Sequence, residues 1–331
     1  MTPVLTNAAR WINPAKLQGT LSDYLALARL DHCAKHVFII PGIILAYLLR
    51  GLRTDAPVTS IALGLITAIG VASANYVINE WLDRDFDRFH PTKAARTAVQ
   101  RELRGEIVLL EWAAFFAIGL TCAWLDSWTM YFIAIVFGLQ GIVYNVSPLR
   151  TKDIAYLDVI SESINNPLRL IIGWVMVDPT TLPPGSLILM YWAGGAFLMA
   201  AKRLSEYREI VASHGHDALA RYRASFAAYS EVSLTISCFV YALSAVFFLA
   251  VFLVKYRTEY LLLVPEIIAL FAYYMIAAMQ PESYAQKPEK LFRERNLVDL
   301  VMLLAATFLL LSFVNIPILE SLAVQQYISI R

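Results

Sequence analysis

The sequence predicts an all-α integral membrane protein. Hydrophobic residues make up 59% of its 331 residues and charged residues 16%, whereas soluble domains average about half and about a quarter. Apolar stretches long enough to cross a bilayer recur along the whole chain. The formal net charge of +1 says nothing about nucleic acid, because the charges are segregated between the apolar stretches. For a membrane protein of this kind we expect no nucleic-acid partner.

Nine apolar segments are candidate transmembrane helices, and together they predict a single domain over residues 1–331. They are residues 36–50, 58–82, 106–125, 128–146, 155–177, 185–201, 231–254, 260–279 and 298–319. The first is short, and its Pro41-Gly42 pair can kink a helix. The longest connection, residues 202–230, is expected to continue the sixth helix and then to form a short amphipathic helix near residues 218–229.

Lysine and arginine concentrate in the N-terminal segment 1–35 and in the connections on one side of the membrane, whereas the other connections carry few charges. The positive-inside rule therefore places that segment and the basic loops in the cytoplasm, and the C-terminus outside. Residues 1–30 have no apolar core of the length that a signal peptide needs. We expect an integral protein of the plasma membrane, in a bacterium the inner membrane.

Four polar residues recur at intervals of four around the end of the second segment: Asn75, Asn79, Asp83 and Asp87. On a helix this spacing places them along one face. Carboxylate and amide oxygens suit Mg²⁺, a hard cation that prefers oxygen ligands. The pattern predicts a magnesium site at Asn79, Asp83 and Asp87. The alternative is a solvated helix end with ordinary juxtamembrane charges.

Basic residues follow this stripe at once and favour phosphate as the partner of the metal. Lys93 and Arg96 lie just after Pro91, and such side chains bind phosphate oxygens well. The alternative explanation is positive-inside topology alone. Arg29 and Lys35, before and at the start of the first segment, are either further ligands of the substrate or a common interfacial anchor pair.

Ionisable residues in the fifth segment are costly to place in a membrane and predict a cavity or a polar partner. Asp158, Glu162, Asn165 and Arg169 follow one another at steps of four, three and four, which places them on one helix face. Glu162, Asn166 and Arg169 lie deep in an apolar helix. The alternative is a structural polar network between helices.

The motif Asn79-x-x-x-Asp83-x-x-x-Asp87, followed by a basic loop, resembles the first signature of the UbiA superfamily of intramembrane prenyltransferases. The stretch from Tyr144 to Lys152 resembles the family's connection after the fourth helix, where a tyrosine and a lysine approach the substrate phosphates. The resemblance implies a helical bundle around a central cavity that opens laterally to lipid and is covered by cytoplasmic cap loops. It also implies that the carboxylates hold Mg²⁺ on a diphosphate.

The end of the sixth segment departs from most members of this family. They carry a second aspartate motif there, whereas this chain has Lys202-Arg203-x-x-Glu206, which is otherwise an ordinary charged helix end. This motif is similar to the branch that contains decaprenyl-phosphate phosphoribosyltransferase. Two further motifs resemble that branch: Arg29-x-x-x-x-x-Lys35 and His90-Pro91-Thr92-Lys93-x-x-Arg96. The resemblance implies phosphoribosyl diphosphate as the donor and a polyprenyl phosphate as the acceptor.

Phosphoribosyl transfer to a polyprenyl phosphate is therefore the leading hypothesis. One alternative is prenyl transfer from a polyprenyl diphosphate to an aromatic or other hydrophobic acceptor. The other is a non-enzymatic membrane transporter with a polar path through the second and fifth segments. For either enzyme we expect Mg²⁺ as the cofactor and an isoprenoid lipid as a substrate, in contact with membrane lipids, and the sequence leaves the oligomeric state open.

The residues and the resemblance together assign three sets of site residues. The expected catalytic residues are Asp83, Asp87, Lys152 and Lys202. The expected ligands of substrate phosphates are Arg29, Lys35, Lys93, Arg96, Tyr144, Arg203 and Glu206. The expected polar lining of the cavity consists of Asn75, Asp158, Glu162, Asn166 and Arg169. Within this lining, Asp158 and Glu162 are the nearest candidates to activate an aromatic acceptor.

Overall fold

The computed structural model describes residues 17–88, 93–280, 283 and 294–319, apart from the side chains of residues 32–34. This part of the chain is almost entirely helical, as the sequence predicts. The α-helices are α1 (Leu21–Leu27), α2 (Ile40–Arg50), α3 (Pro57–Asp87), α4 (Thr97–Gln100), α5 (Gly105–Asp126), α6 (Trp128–Asn145), α7 (Leu157–Ser163), α8 (Asn165–Val175), α9 (Gly185–His214), α10 (Leu219–Tyr222), α11 (Glu231–Tyr256), α12 (Val264–Met279) and α13 (Arg295–Phe313). Short 3₁₀ segments cover Leu30–Ile39, Lys93–Ala95, Thr151–Asp153, His216–Ala218, Ala224–Ala228 and Thr258–Leu263.

Seven helical segments of the described chain are long and apolar enough to cross a membrane. They are α3, α5, α6, α9, α11, Thr258–Met279 and α13. Each coincides with one of the nine predicted spans. Large apolar side chains such as Leu110 on α5 and Phe313 on α13 are exposed on their outer faces, where a bilayer would cover them.

The first predicted span, residues 36–50, is not a single long helix. It consists of the 3₁₀ segment Leu30–Ile39 and the 11-residue helix α2. Pro41 lies in the first turn of α2 and has no N–H to donate to a preceding carbonyl, so the α-helix cannot extend backwards through it. The interruption lies at the Pro41-Gly42 pair, where the sequence predicts a kink.

The fifth predicted span, residues 155–177, is also interrupted. Helix α7 ends at Ser163 and α8 begins at Asn165. Pro167 is the cause, because a proline ring clashes with the carbonyl four residues earlier and cannot donate the corresponding hydrogen bond. The break changes the direction of the side chains before it relative to those after it, which alters the predicted site below.

Helices α3 and α9 are the two longest, with 31 and 30 residues. At 1.5 Å per residue they are about 46 and 45 Å long, more than the roughly 30 Å thickness of a hydrocarbon core. Helix α3 packs on α5 and α6, and α9 packs on α11, α7 and α8. Gly215, with a φ of +77°, ends α9, as glycine commonly does in this conformation. Both helices are therefore long enough to extend beyond the apolar layer.

The N-terminal part of the described chain is fastened to the connection that follows α3. Two-residue strands, β1 (Leu17–Gln18) and β2 (Arg101–Glu102), pair in parallel. The backbone N–H of Arg104 donates to the hydroxyl of Tyr24 over 2.8 Å. These contacts hold residues 93–104 beside the end of α3, which carries Asp83 and Asp87.

Helices α2 and α8 approach each other through two glycines. A Cβ atom at Gly42 would overlap the carbonyl oxygen of Leu170, and one at Gly173 would overlap the carbonyl oxygen of Ile39. Backbone atoms cannot move aside as a flexible side chain can. The close packing of the interrupted first and fifth segments therefore depends on the absence of a side chain at both positions.

We predict that Gly42→Ala lowers the free energy of unfolding by about 1–3 kcal/mol, because the added methyl group overpacks this contact. Gly194→Ala is the matched control, since nothing lies within 4 Å of a Cβ atom at that position of α9. Alanine there should leave the stability unchanged or raise it by up to about 1 kcal/mol. Thermal unfolding midpoints in detergent measure both effects. Equal midpoints for the two variants would contradict the packing described.

Candidate active site

The end of α3 presents two carboxylates one helical turn apart, Asp83 and Asp87, which we call the carboxylate site. Asp83 Oδ1 accepts hydrogen bonds from Arg150 Nη2 over 2.9 Å and from Lys152 Nζ over 2.5 Å. Asp87 Oδ2 accepts one from Arg96 Nη1 over 2.5 Å. Both side chains are largely buried. The predicted carboxylates and three cations from two separate connections thus come together.

Asn145, the last residue of α6, joins two of the predicted site residues. Its Oδ1 accepts hydrogen bonds from Asn79 Nδ2 over 2.6 Å and from Lys152 Nζ over 2.8 Å. Its own Nδ2 donates to the carbonyl oxygen of Gly141 over 2.8 Å. Asn145 is 2% exposed, so this geometry is fixed by packing. The sequence analysis missed this residue, although it is adjacent to the predicted Tyr144.

Arg150 lies within the Tyr144–Lys152 stretch that the sequence analysis singled out, but it was not among the assigned site residues. Besides Asp83, its guanidinium donates to Asp153 Oδ2 over 2.7 Å and to the carbonyl oxygen of Asn145 over 3.0 Å. Its backbone φ is +27°, a value that a non-glycine residue adopts only where its surroundings hold it. The three hydrogen bonds of the side chain supply that restraint. Arg150 therefore fixes the connection after α6 against the carboxylate site.

Two lysines lie at this end of the bundle, of which Lys152 is buried and Lys93 is partly buried. Burial lowers the pKa of Lys93 to about 8, and the nearby carboxylates of Glu206 and Asp87 act in the opposite direction. Burial likewise lowers the pKa of Lys152 to about 8, and Asp83 opposes this shift. Both amines remain mostly protonated at pH 7. They are therefore cations in a poorly solvated setting, where their attraction for phosphate oxygens is strong.

A second group of buried charges surrounds Arg203 on α9, and we call it the Arg203 cluster: Asp158, Glu162, Arg203 and Glu206. The guanidinium donates to Asp158 over 3.1 Å, to Glu206 over 2.9 Å and to Glu162 over 3.2 Å. Arg203 is 2% exposed and Glu206 is 3% exposed. Both were predicted to bind substrate phosphates, and in the structure each is engaged within the cluster.

Asp158 was predicted to line the cavity, but the structure places it in the Arg203 cluster, fully buried. Besides Arg203, it accepts hydrogen bonds from Tyr229 Oη over 2.6 Å and from Ser225 Oγ over 3.1 Å, and Arg223 Nε lies 3.4 Å away. The break between α7 and α8 explains the difference, because Asp158 no longer shares a continuous helix with Arg169. Asp158 thus anchors the connection 215–230 and does not face the cavity.

The connection 215–230 also contacts the predicted site residue Tyr144, through Arg223. Arg223 Nη2 donates to the hydroxyl of Tyr144 over 2.9 Å, and that hydroxyl donates to Glu162 Oε2 over 2.7 Å. The ring of Tyr222 lies 5.5 Å from Lys93 Nζ. The sequence analysis used Arg223 only as evidence for topology and missed Tyr222, Ser225 and Tyr229. The only sequence feature that could have indicated these four residues is their position in a basic loop.

A cavity of about 160 Å³ opens between α3, α8 and α9. Four of the five residues predicted to line the cavity do so: Asn75, Glu162, Asn166 and Arg169. Lys35, Asn165 and Lys202 also belong to its polar lining. The rest of the lining is mostly apolar and includes Phe38, Phe137, Leu198 and Met199. The lining therefore combines charged and polar side chains with apolar ones that suit a hydrocarbon chain.

Arg29 lies beside a carboxylate of α3 other than the two of the carboxylate site. Its Nε is 4.0 Å from Glu80 Oε2, and Glu80 is buried beside α4. Its assignment as a ligand of substrate phosphate stays a prediction. His90, with the neighbouring residues 89, 91 and 92, lies outside the described residues.

The donor set at the end of α3 fits magnesium. Asn79, Asp83 and Asp87 offer an amide oxygen and two carboxylates on successive turns, and Mg²⁺ is commonly held by one or two carboxylates together with waters and substrate phosphates. No group of three or more His, Cys, Asp or Glu side chains within the described ranges could hold a metal ion by itself. The site therefore suits an ion that is bound together with a phosphate-bearing ligand.

Comparison with known proteins agrees with this architecture. Residues 39–298 match the UbiA prenyltransferase family. The chain belongs to this family. A UbiA homologue from Archaeoglobus fulgidus, in a structure bound to GPP and Mg²⁺, has a similar fold: the TM-score is 0.65 at 20% identity, over 88% of this chain and 100% of the other.

Two characterised relatives have detectable sequence similarity. A protoheme IX farnesyltransferase from Alkalihalophilus pseudofirmus is 28% identical over 198 residues, 58% of this chain and 62% of the relative. The nodulation protein NoeC from Azorhizobium caulinodans is 25% identical over 182 residues, 54% of this chain and 57% of the relative. The matches thus span less than two thirds of these relatives. The UbiA-type assignment made from the sequence is confirmed, and neither relative is named as a phosphoribosyltransferase.

We predict that Arg203→Met lowers the unfolding free energy by about 3–5 kcal/mol. The change leaves the buried carboxylates of Asp158 and Glu206, and the partly buried one of Glu162, without their shared counter-ion. Arg295→Ala is the control, since the exposed Arg295–Asp299 pair contributes little to stability. The unfolding midpoint in detergent should fall clearly for the first variant and stay unchanged for the second. A stable Arg203→Met protein would show that the cluster is not required for folding.

Proposed function

We propose that the protein is a Mg²⁺-dependent intramembrane transferase that releases diphosphate from a donor bound at the carboxylate site. One of its two substrates is an isoprenoid lipid. The observation that carries this proposal is the pair Asp83 and Asp87, buried at the end of α3 and surrounded by Arg96, Arg150 and Lys152. Membership of the UbiA prenyltransferase family supports it.

The residues of the carboxylate site have complementary roles in this proposal. Asp83 and Asp87, with Asn79, would hold Mg²⁺, which when bound neutralises charge on the departing diphosphate. Lys93, Arg96 and Lys152 are placed to contact phosphate oxygens, where charge accumulates as the bond breaks. In the structure two of these cations pair with the carboxylates. A metal-bound diphosphate would satisfy both groups at once, so binding exchanges one set of ion pairs for another.

The apolar region of the cavity would protect the reacting carbon. That carbon becomes cation-like as diphosphate leaves, and water would capture it. Phe38, Phe137 and Leu198 line this region and exclude water from the reaction. They also offer a surface for an isoprenoid chain, whose burial is favourable by about 0.8 kcal/mol per CH₂ group.

Prenyl transfer from a prenyl diphosphate is the form that the comparisons support. The family is named for it, the relative from Alkalihalophilus pseudofirmus is a farnesyltransferase, and the Archaeoglobus fulgidus homologue was solved with GPP and Mg²⁺. Transport without catalysis has no support from these relatives. We therefore take prenyl transfer to a hydrophobic acceptor as the first candidate reaction.

Phosphoribosyl transfer to a polyprenyl phosphate is the second candidate, and one structural observation favours it. On α9, two to three turns before its end at His214, the chain has Lys202, Arg203 and Glu206 where a second acidic motif would hold further metal. The carboxylate of Glu206 is engaged by Arg203 over 2.9 Å. This end of the bundle is therefore suited to phosphate groups more than to a second metal ion.

The arrangement in the membrane follows the same proposal. We infer that the interrupted first and fifth segments are also embedded, which gives nine membrane segments. The connections 93–104 and 215–230 would cover the carboxylate site as cap loops. Their basic residues place this end in the cytoplasm under the positive-inside rule, with the C-terminus on the other side.

An assay of diphosphate release tests the proposal with both candidate donors. Purified protein in detergent with Mg²⁺ receives either farnesyl diphosphate, with protohaem IX or a panel of aromatic acids and quinols, or phosphoribosyl diphosphate with a polyprenyl phosphate. We expect release with one set, and at least about a 100-fold loss in Asp83→Asn, because the developing charge loses its main stabilisation. The set that supports release decides between the two candidates.

Asp85→Asn is the matched control, because Asp85 belongs to the same helix but is exposed on another face. It should retain at least half of the wild-type rate. Chelation of Mg²⁺ should abolish release by the wild type and have no further effect on Asp83→Asn. Release that persists in Asp83→Asn, or no release with either donor set, would contradict the proposed function.

A further inference from the structure

A third carboxylate of α3, that of Glu80, lies one turn before Asp83 and belongs to neither the carboxylate site nor the Arg203 cluster. Glu80, Asp83 and Asp87 follow one another at intervals of three and four, which places them along one side of the helix. Glu80 is 4% exposed, and a carboxylate buried to this extent needs compensating partners. These partners come from two other segments of the chain.

One oxygen of Glu80 contacts the first turn of the short helix α4. Glu80 Oε1 accepts a hydrogen bond from the backbone N–H of Ala98 over 3.5 Å. Ala98 is the second residue of α4, so its N–H has no acceptor within the helix. The N-cap residue of α4, Arg96, makes no capping hydrogen bond with its own side chain. Glu80 therefore supplies an acceptor that the start of this helix otherwise lacks.

Arg96 links the start of α4 to the carboxylate site. Its carbonyl oxygen accepts hydrogen bonds from the N–H groups of Val99 over 3.0 Å and of Gln100 over 3.1 Å. Its guanidinium donates to Asp87 Oδ2 over 2.5 Å. The backbone of Arg96 is thus part of the same helical turn that Glu80 contacts. A shift of this turn would move the guanidinium relative to Asp87.

The other oxygen of Glu80 faces the N-terminal segment. Glu80 Oε2 lies 4.0 Å from Arg29 Nε. Arg96 and Arg29 both attract the Glu80 carboxylate electrostatically. One buried negative charge is therefore shared by a cation before α2 and a cation of the connection 93–104. Both oxygens of Glu80 thus have partners on neighbouring segments of the chain.

We propose that Glu80 is a positioning residue of the reaction. It holds the first turn of α4 and thereby keeps the guanidinium of Arg96 at the carboxylate site, where it meets the diphosphate of the donor. Glu80 itself contacts neither the metal nor the substrate. This proposal rests on the proposed function, because it concerns the diphosphate released in that reaction. The role matters most when Asp87 holds the metal, because Arg96 then loses its present partner and reaches the phosphate only from a fixed backbone.

Hydrogen exchange in the ligand-free protein tests whether Glu80 holds α4. The full-length protein in detergent with EDTA is compared with Glu80→Leu, which removes both the acceptor and the charge. The amides of residues 97–100 should exchange at least about fivefold faster in this variant, because the turn opens more often. Glu106→Gln is the matched control, since Glu106 is an exposed carboxylate that follows the same connection, and it should exchange like the wild type. Unchanged exchange in Glu80→Leu would overturn the proposal.

A double-mutant cycle tests whether Glu80 acts through Arg96. Calorimetry measures the binding of inorganic diphosphate with Mg²⁺ to the wild type, Glu80→Leu, Arg96→Gln and the double variant. Arg96→Gln should weaken binding at least about tenfold, as the loss of a hydrogen bond between charged groups does, and Glu80→Leu at least about fivefold. In the Arg96→Gln protein, Glu80→Leu should change binding less than about twofold, because the residue that it positions is absent. Equal weakening in both backgrounds would show a general structural effect or direct metal binding by Glu80, and would refute the positioning role.

Glu80→Gln keeps the cycle decisive if Glu80→Leu does not fold, because it preserves the volume of the side chain and removes its charge. It should weaken diphosphate binding at least about threefold in the wild-type background and less than about twofold in Arg96→Gln. The absence of any effect in the wild-type background would count against the proposal.

The two experiments also separate this proposal from the proposed function. A wild-type protein that binds no diphosphate with Mg²⁺ would refute the proposed function, and exchange in the ligand-free protein would still show whether Glu80 holds the turn that carries Arg96. Magnesium-dependent diphosphate binding by the wild type, together with unchanged exchange of α4 in Glu80→Leu, would refute only the role of Glu80.

Discussion

Compensation of buried charge at one end of the bundle is the constraint on which the rest of the structure depends. Ionised groups at the edge of a hydrocarbon layer must be paired or solvated. The Arg203 cluster meets this requirement internally, because one guanidinium is shared by Asp158, Glu162 and Glu206. The carboxylate site also pairs its charges, but with cations that a phosphate could attract away. One group of charges thus stabilises the fold and the other is suited to exchange with a ligand.

This division explains how two long helices and two connections form one site. Helix α3 presents Asp83 and Asp87 near its C-terminal end, and the connection after α6 meets Asp83 with Arg150 and Lys152. Asp158 holds the connection 215–230 through Ser225 and Tyr229. The cavity then lies between an ion-paired framework and an apolar surface, which is the setting that a reaction between a diphosphate and a lipid requires.

The sequence predicted the helical membrane fold and the polar face of α3, because regular spacing on one continuous helix is a local property. It also predicted that the Lys152 region and the end of the sixth segment belong to the site, through the resemblance. It did not predict that Pro167 interrupts the fifth segment, and Asp158 was therefore assigned to the wrong surface. Asn145, Arg150 and Arg223 act through contacts between distant segments, which no spacing along the chain reveals.

Family membership sets the class of chemistry, and the departures from the common motif concern the substrates. The central claim is that Asp83 and Asp87 bind a metal together with diphosphate. Calorimetric titration with inorganic diphosphate, with and without Mg²⁺, tests it most directly. The account predicts that Mg²⁺ tightens diphosphate binding at least tenfold in the wild type and has no such effect in Asp83→Asn. Binding that is independent of Mg²⁺ in the wild type, or equally dependent on it in both proteins, would contradict the account.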